Sequence, residues 1–142
     1  MSDIKAVKDI LIKEKETLEI LLKLLQEQYD KIIQKDVFAL ESIVDKLQEA
    51  SRNVAIVEKE RRKITGNDSM KKIIEELKRK DKDVEKYYDE CVMTLEMTRV
   101  QKESNDILLK QNLVFVNSML NMMKPKDNRA TNVYNSYGSL GR

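Results

Sequence analysis

The sequence contains no histidine and no tryptophan, and only one cysteine, one proline and three glycines among its 142 residues. Each scarcity removes a class of explanation. Without histidine the commonest general base is missing, and the remaining candidates are carboxylates scattered among lysines on exposed faces. With a single thiol besides, zinc of the usual ligand types finds no ligand set, and no cofactor is expected. One cysteine, Cys91, cannot close an internal disulfide, which points to a reducing compartment. Five Tyr and two Phe cannot build a thick aromatic core. The shortage of Gly and Pro leaves long stretches unbroken, and no glycine-rich loop, βαβ pattern or tandem repeat appears.

What fills the chain instead is charge and aliphatic side chain, 37% and 41% respectively when all hydrophobic residues are counted. That mixture suits long amphipathic helices meeting along narrow apolar seams. With 27 basic and 25 acidic residues the net charge is +2, too near neutral to imply a nucleic-acid partner. From residue 124 onward Lys124, Lys126, Arg129 and Arg142 oppose only Asp127, so the end of the chain is basic and the body nearly balanced. The opening "MSDIKAVKDILIKEKETLEILLKLLQ" carries charges throughout its apolar run. It reads as neither a signal peptide nor a membrane span, and a cytoplasmic protein without membrane insertion is expected.

The first segment repeats every seven residues through Ile4, Leu11, Leu18, Leu25 and Ile32, widened by Val7, Leu21, Leu22 and Tyr29. Such a column stays on one helix face and needs a partner helix. Asp36 is placed to cap a second helix whose stripe runs Leu40, Ile43/Val44, Leu47, Ala50/Ser51, Val54, Val57 and Ile64. That helix closes on Arg61–Arg62–Lys63, a cluster read as a solvated end, before the stop at Gly66–Asn67. Asp68 or Ser69 starts a short helix with Met70, Ile73, Ile74 and Leu77 on its apolar face, and its charge density predicts loose packing. A last helix runs from about Val84 to Met123, with residues 78–83 either breaking or bending the chain before it. Val84, Tyr88, Cys91 and Leu95 form its first stripe, which places Cys91 in the core; Asp89 and Glu90 beside it disfavour a thiolate. The expected fold is all-α: an elongated antiparallel bundle or coiled coil of three long helices and one short one, residues 1–124. A flexible tail, 125–142, follows Pro125.

The last helix is the informative element. Of residues 107–123, eleven are apolar and Lys110 carries the only charge. Their apolar arc spans roughly 180°, against the roughly 100° that one seam needs. Either this helix is buried on both sides or a partner uses the excess. Methionine recurs here (Met97, Met119, Met122, Met123), a side chain suited to varied apolar partners. One stretch earlier the stripe turns polar at Thr98, Lys102, Asn105 and Asp106, a pattern of local loosening or register control.

The leading helical hairpin, the basic cluster ending the second helix and the stretch "NDILLKQNLVFVNSMLNMM" resemble the FlgN family of flagellar export chaperones. Asn105, Leu108, Leu109, Gln111, Leu113 and Phe115 carry that likeness, and Tyr134, Tyr137 and Gly138 resemble the family's tail element. The resemblance implies a non-enzymatic chaperone that binds hook-associated proteins in the cytoplasm, prevents their premature assembly and delivers them to the export gate. On this reading Leu109, Leu113, Val116, Met119, Leu120 and Met123 bind cargo, and Tyr134 and Tyr137 dock at the gate. No metal, cofactor or catalytic residue is implied. Oligomeric state stays open between monomer and dimer, and the rival reading is a structural or signalling coiled-coil homodimer using the same apolar arc.

Overall fold

The structure, a computed structural model, describes residues 3–123. They form four helices and, among the described residues, no strand: α1 (Ile4–Gln34), α2 (Val37–Thr65), α3 (Met70–Leu77) and α4 (Lys82–Met123). Three long helices and one short one are thus what the sequence builds. The chain divides into two compact units, Met1–Glu103 and Ser104–Arg142, and α4 contributes to both. The tail expected over 125–142 lies outside the described residues.

Local chemistry sets the helix ends. The Asp3 carboxylate accepts from the Lys5 amide and starts α1. Lys35 ends it in the left-handed region at φ 57°, where its amide bonds back to the Ile32 carbonyl. A lysine there costs on the order of 1 kcal/mol that glycine would not. The next residue, Asp36, accepts from the Ala39 amide at 3.1 Å and caps α2, as its position predicted. Gly66 ends α2 at φ 63°, a backbone that suits glycine. Of the two candidate starts for α3, Ser69 is the one that caps, accepting from the Lys72 amide. Residues 78–81 break the helix after Leu77, and the Asp81 carboxylate then accepts from the Asp83 amide at the entry to α4.

Packing within the first unit follows the seven-residue columns. Leu11, Leu18, Leu25 and Ile32 are buried on α1, with Val7 and Ile10 beside them. Ile43, Ala50 and Val57 answer from α2 at the same interval, and Val84, Cys91 and Thr98 do so from α4. Lys8 pairs with Asp81 and Lys15 with Glu90, so α4 starts out parallel to α1. Lys13 pairs with Glu60 near the far end of α2, which runs the opposite way.

Three expectations need correction. The short helix α3 does not pack loosely: Met70, Ile73, Ile74 and Leu77 are each no more than 7% exposed. Its charges sit on the opposite face, so charge density says nothing about how firmly the apolar face is held. Tyr29 and Leu95, assigned to apolar stripes, are 37% and 46% exposed. Both lie at stripe edges, where helical spacing alone does not decide burial.

Truncating Leu11 to Ala should destabilise the fold by about 2–5 kcal/mol, and Ile74→Ala by a comparable amount. Ile20→Ala, on the exposed face of α1, should change stability by less than about 0.5 kcal/mol. Urea denaturation followed by circular dichroism measures all three. A negligible effect of Ile74→Ala would mean that α3 does not belong to the core.

Candidate functional site

Two places could carry function, and they differ in chemistry. One is a polar cluster in an apolar recess of the first unit. The other is the C-terminal part of α4.

The recess holds about 280 Å³ and is lined by Leu11, Leu18, Val54, Met70, Val92 and Leu95, with Tyr88 and Thr17 on its wall. Glu14 of α1, Arg61 of α2 and Cys91 of α4 meet inside it. The Arg61 Nε stands 2.6 Å from Glu14 Oε1. Both atoms are shielded from solvent, and neither makes a well-directed hydrogen bond. The attraction is ionic rather than a directed bond. The Cys91 thiol donates to the other Glu14 oxygen at 3.4 Å. Burial raises the Glu14 carboxyl above its ordinary value, against the pull of the Arg61 charge. Burial, with the Glu14 charge added, pushes the Cys91 thiol up to about 12.

A thiol in that state stays protonated at neutral pH, which disfavours attack by its sulfur. The cluster ties three helices together, which is a structural task. Here the solvated reading of the basic cluster fails for one residue. Arg62 is exposed and pairs with Glu58, but Arg61 turns inward. A glutamate at position 14, on the rim of the α1 column, was the one sequence signal for this.

The second unit is described through residue 123, as the end of α4. Asn105 is buried at 1% exposure. Leu109, Leu113 and Leu120 are half-buried, while Met122 and Met123 are 86% and 75% exposed. Val116 and Met119 fall outside the described side chains, and Tyr134 and Tyr137 outside the described residues. None of the described apolar side chains from Ile107 to Met123 is fully buried. Asn117 Oδ1 is shielded and has no hydrogen-bond partner among the described residues. Such an arrangement offers an apolar strip with a polar acceptor in it.

Among the described residues no group of three His, Cys, Asp or Glu is placed to hold a metal ion. None of the described helices is long and apolar enough to cross a membrane.

The Glu14 environment has a consequence for pH. Its folded carboxyl takes up a proton at higher pH than the ordinary 4.5, so the folded state binds more protons than the unfolded one in that window. Stability contributed at this position therefore rises as pH falls from neutral toward 4.5. Relative to a Glu14→Gln variant, the unaltered chain should gain in melting temperature between pH 7 and pH 5 on this account. Parallel melting curves at the two pH values measure it, and a relative loss would contradict it.

A family model described as "FlgN protein" matches residues 1–142. No curated protein and no solved structure matches the chain.

Proposed function

The chain belongs to the FlgN family, which makes it a flagellar export chaperone, and on that premise we propose that its cargo is a hook-associated protein. The cargo is held in the cytoplasm, kept from assembling early and handed to the export gate. Family membership over the whole chain is the observation that carries this reading. The exposed and half-buried apolar side chains at the end of α4 support its finer part. A cargo helix laid along Leu109, Leu113, Val116, Met119, Leu120 and Met123 would cover a strip that water now reaches at Met123. Exposed apolar surface of this kind is unfavourable unless an interface uses it. A donor on the cargo would also satisfy the shielded Asn117 oxygen.

Tyr134 and Tyr137 are the aromatic side chains of the sequence after Pro125, set mostly among small and polar residues. We assign them to the export gate and not to cargo, because their amphipathic rings suit short docking peptides. The homodimer without a chaperone role has family membership against it.

Calorimetry of Val116→Asp and Leu120→Asp with hook-associated proteins tests the cargo strip. Each should weaken binding by at least roughly ten-fold while the chain stays folded, and unchanged affinity would remove the strip from the interface. Deleting residues 131–142 should leave cargo binding intact and lower secretion of the cargo. Normal secretion by the truncated chain would refute the docking role.

A further inference from the structure

The first half of α4 carries a second apolar column, distinct from its buried one. Met93, Met97 and Val100 are 66%, 50% and 62% exposed. Their spacing of four and then three residues keeps them on one line of the helix. At 100° per residue that line lies roughly 150° from Val84, Cys91 and Thr98, so it faces away from the core. Three exposed apolar side chains thus fall on one line over about two turns, a contiguous strip and not single scattered residues.

Beside this line runs a column of carboxylates. Asp89, Glu96 and Glu103 recur every seven residues and all are exposed. Glu96 is held by Arg99 one turn on, a surface pair of small worth that a competing cation can replace. Asp89 and Glu103 make no ion pair among the described residues. An apolar line with like charges along one flank at seven-residue intervals is the pattern of a coiled-coil strand that selects its partner by charge.

We propose that this face docks a helix of another protein whose apolar stripe is flanked by lysine or arginine. A second copy of the chain fits poorly. Packed antiparallel, it would set the carboxylate column against its own counterpart, a like-charge juxtaposition that opposes association. Packed parallel, it would set the column against the side of the helix that holds Thr94, which is buried in its own unit. A basic flank answers the carboxylates in either direction. Lys82 and Lys86 alternate with Asp83 and Glu85 ahead of the carboxylate column, so the purely acidic flank runs over residues 89–103, about two heptads or roughly 21 Å of helix. This seam is separate from the strip assigned to cargo and does not depend on that assignment.

A synthetic 21-residue amphipathic helix with leucine at the seam positions and lysine on the flanks serves as probe, with a glutamate-flanked version for comparison. Fluorescence anisotropy with the full chain should show the lysine peptide binding at least roughly ten-fold tighter than the glutamate peptide. Val100→Asp should abolish that binding, and the double variant Glu96→Lys/Glu103→Lys should reverse the preference. These positions are exposed, so unchanged melting curves are expected and verify the fold. Equal binding of both peptides, or indifference to Val100→Asp, overturns the proposal. So does loss of binding in Val116→Asp, which would put the peptide on the cargo strip. A dimer in sedimentation that Val100→Asp dissolves would make the occupant a second copy and overturn it as well.

Discussion

The seven-residue column of α1 is the constraint on which the rest of the structure depends. Leu11 and Leu18 belong to one cluster that also takes in Val57 of α2, all four apolar residues of α3, and Val84 and Cys91 of α4. Aliphatic side chains at that interval offer little area per turn, so no single contact dominates and the fold depends on continuity. A helix of 31 residues without Gly or Pro supplies it. The partners then need only present their own columns at the same interval, and α2 and α4 both do.

Where such a column admits charge, it does so at a rim and in company. Glu14 sits one turn from Leu11 and Leu18 and draws in Arg61 and Cys91 from two other helices. Removing two charges from water is costly unless each finds the other, so the cluster constrains which residues of α2 and α4 stand at this level. Lys8 adds a second tie at the base, paired with Asp81 at 2.9 Å and lying over the Tyr87 ring. Polar contacts here select an alignment that leucine packing alone would leave loose.

Much of this was legible in the sequence because it is local. Asp36 caps α2 and Gly66 ends it because side-chain oxygens and positive φ act within a few residues. The α1 column was readable because its period is unbroken. What escaped was whatever required a second element. Arg61 looks like its neighbour Arg62 until Glu14 is placed opposite it, and α3 looks solvated until a core is placed under it. Leu95 and Tyr29 show the limit from the other side: both sit on an apolar stripe and still meet water, since stripe width exceeds what the neighbouring helices cover. The family likeness rested on the leading hairpin, the basic cluster of α2 and, most specifically, residues 105–138, and the family match extends over residues 1–142. The individual cargo and gate residues are a different matter, because a helical stripe does not say which partner lies against it.

The buried seam of α4 changes character beyond Cys91. Thr94 donates its hydroxyl to the Glu90 carbonyl at 2.9 Å, and Thr98 donates to the Thr94 carbonyl at 2.7 Å. Both hydroxyls are therefore satisfied inside their own helix and ask nothing of a neighbour. Small side chains that neither interlock nor demand a bond make a bearing surface instead of a gear tooth. Along this stretch the buried face of α4 presents methyl groups and hydroxyls already bonded within the helix, so less side chain opposes axial slip here than at the Leu11 level.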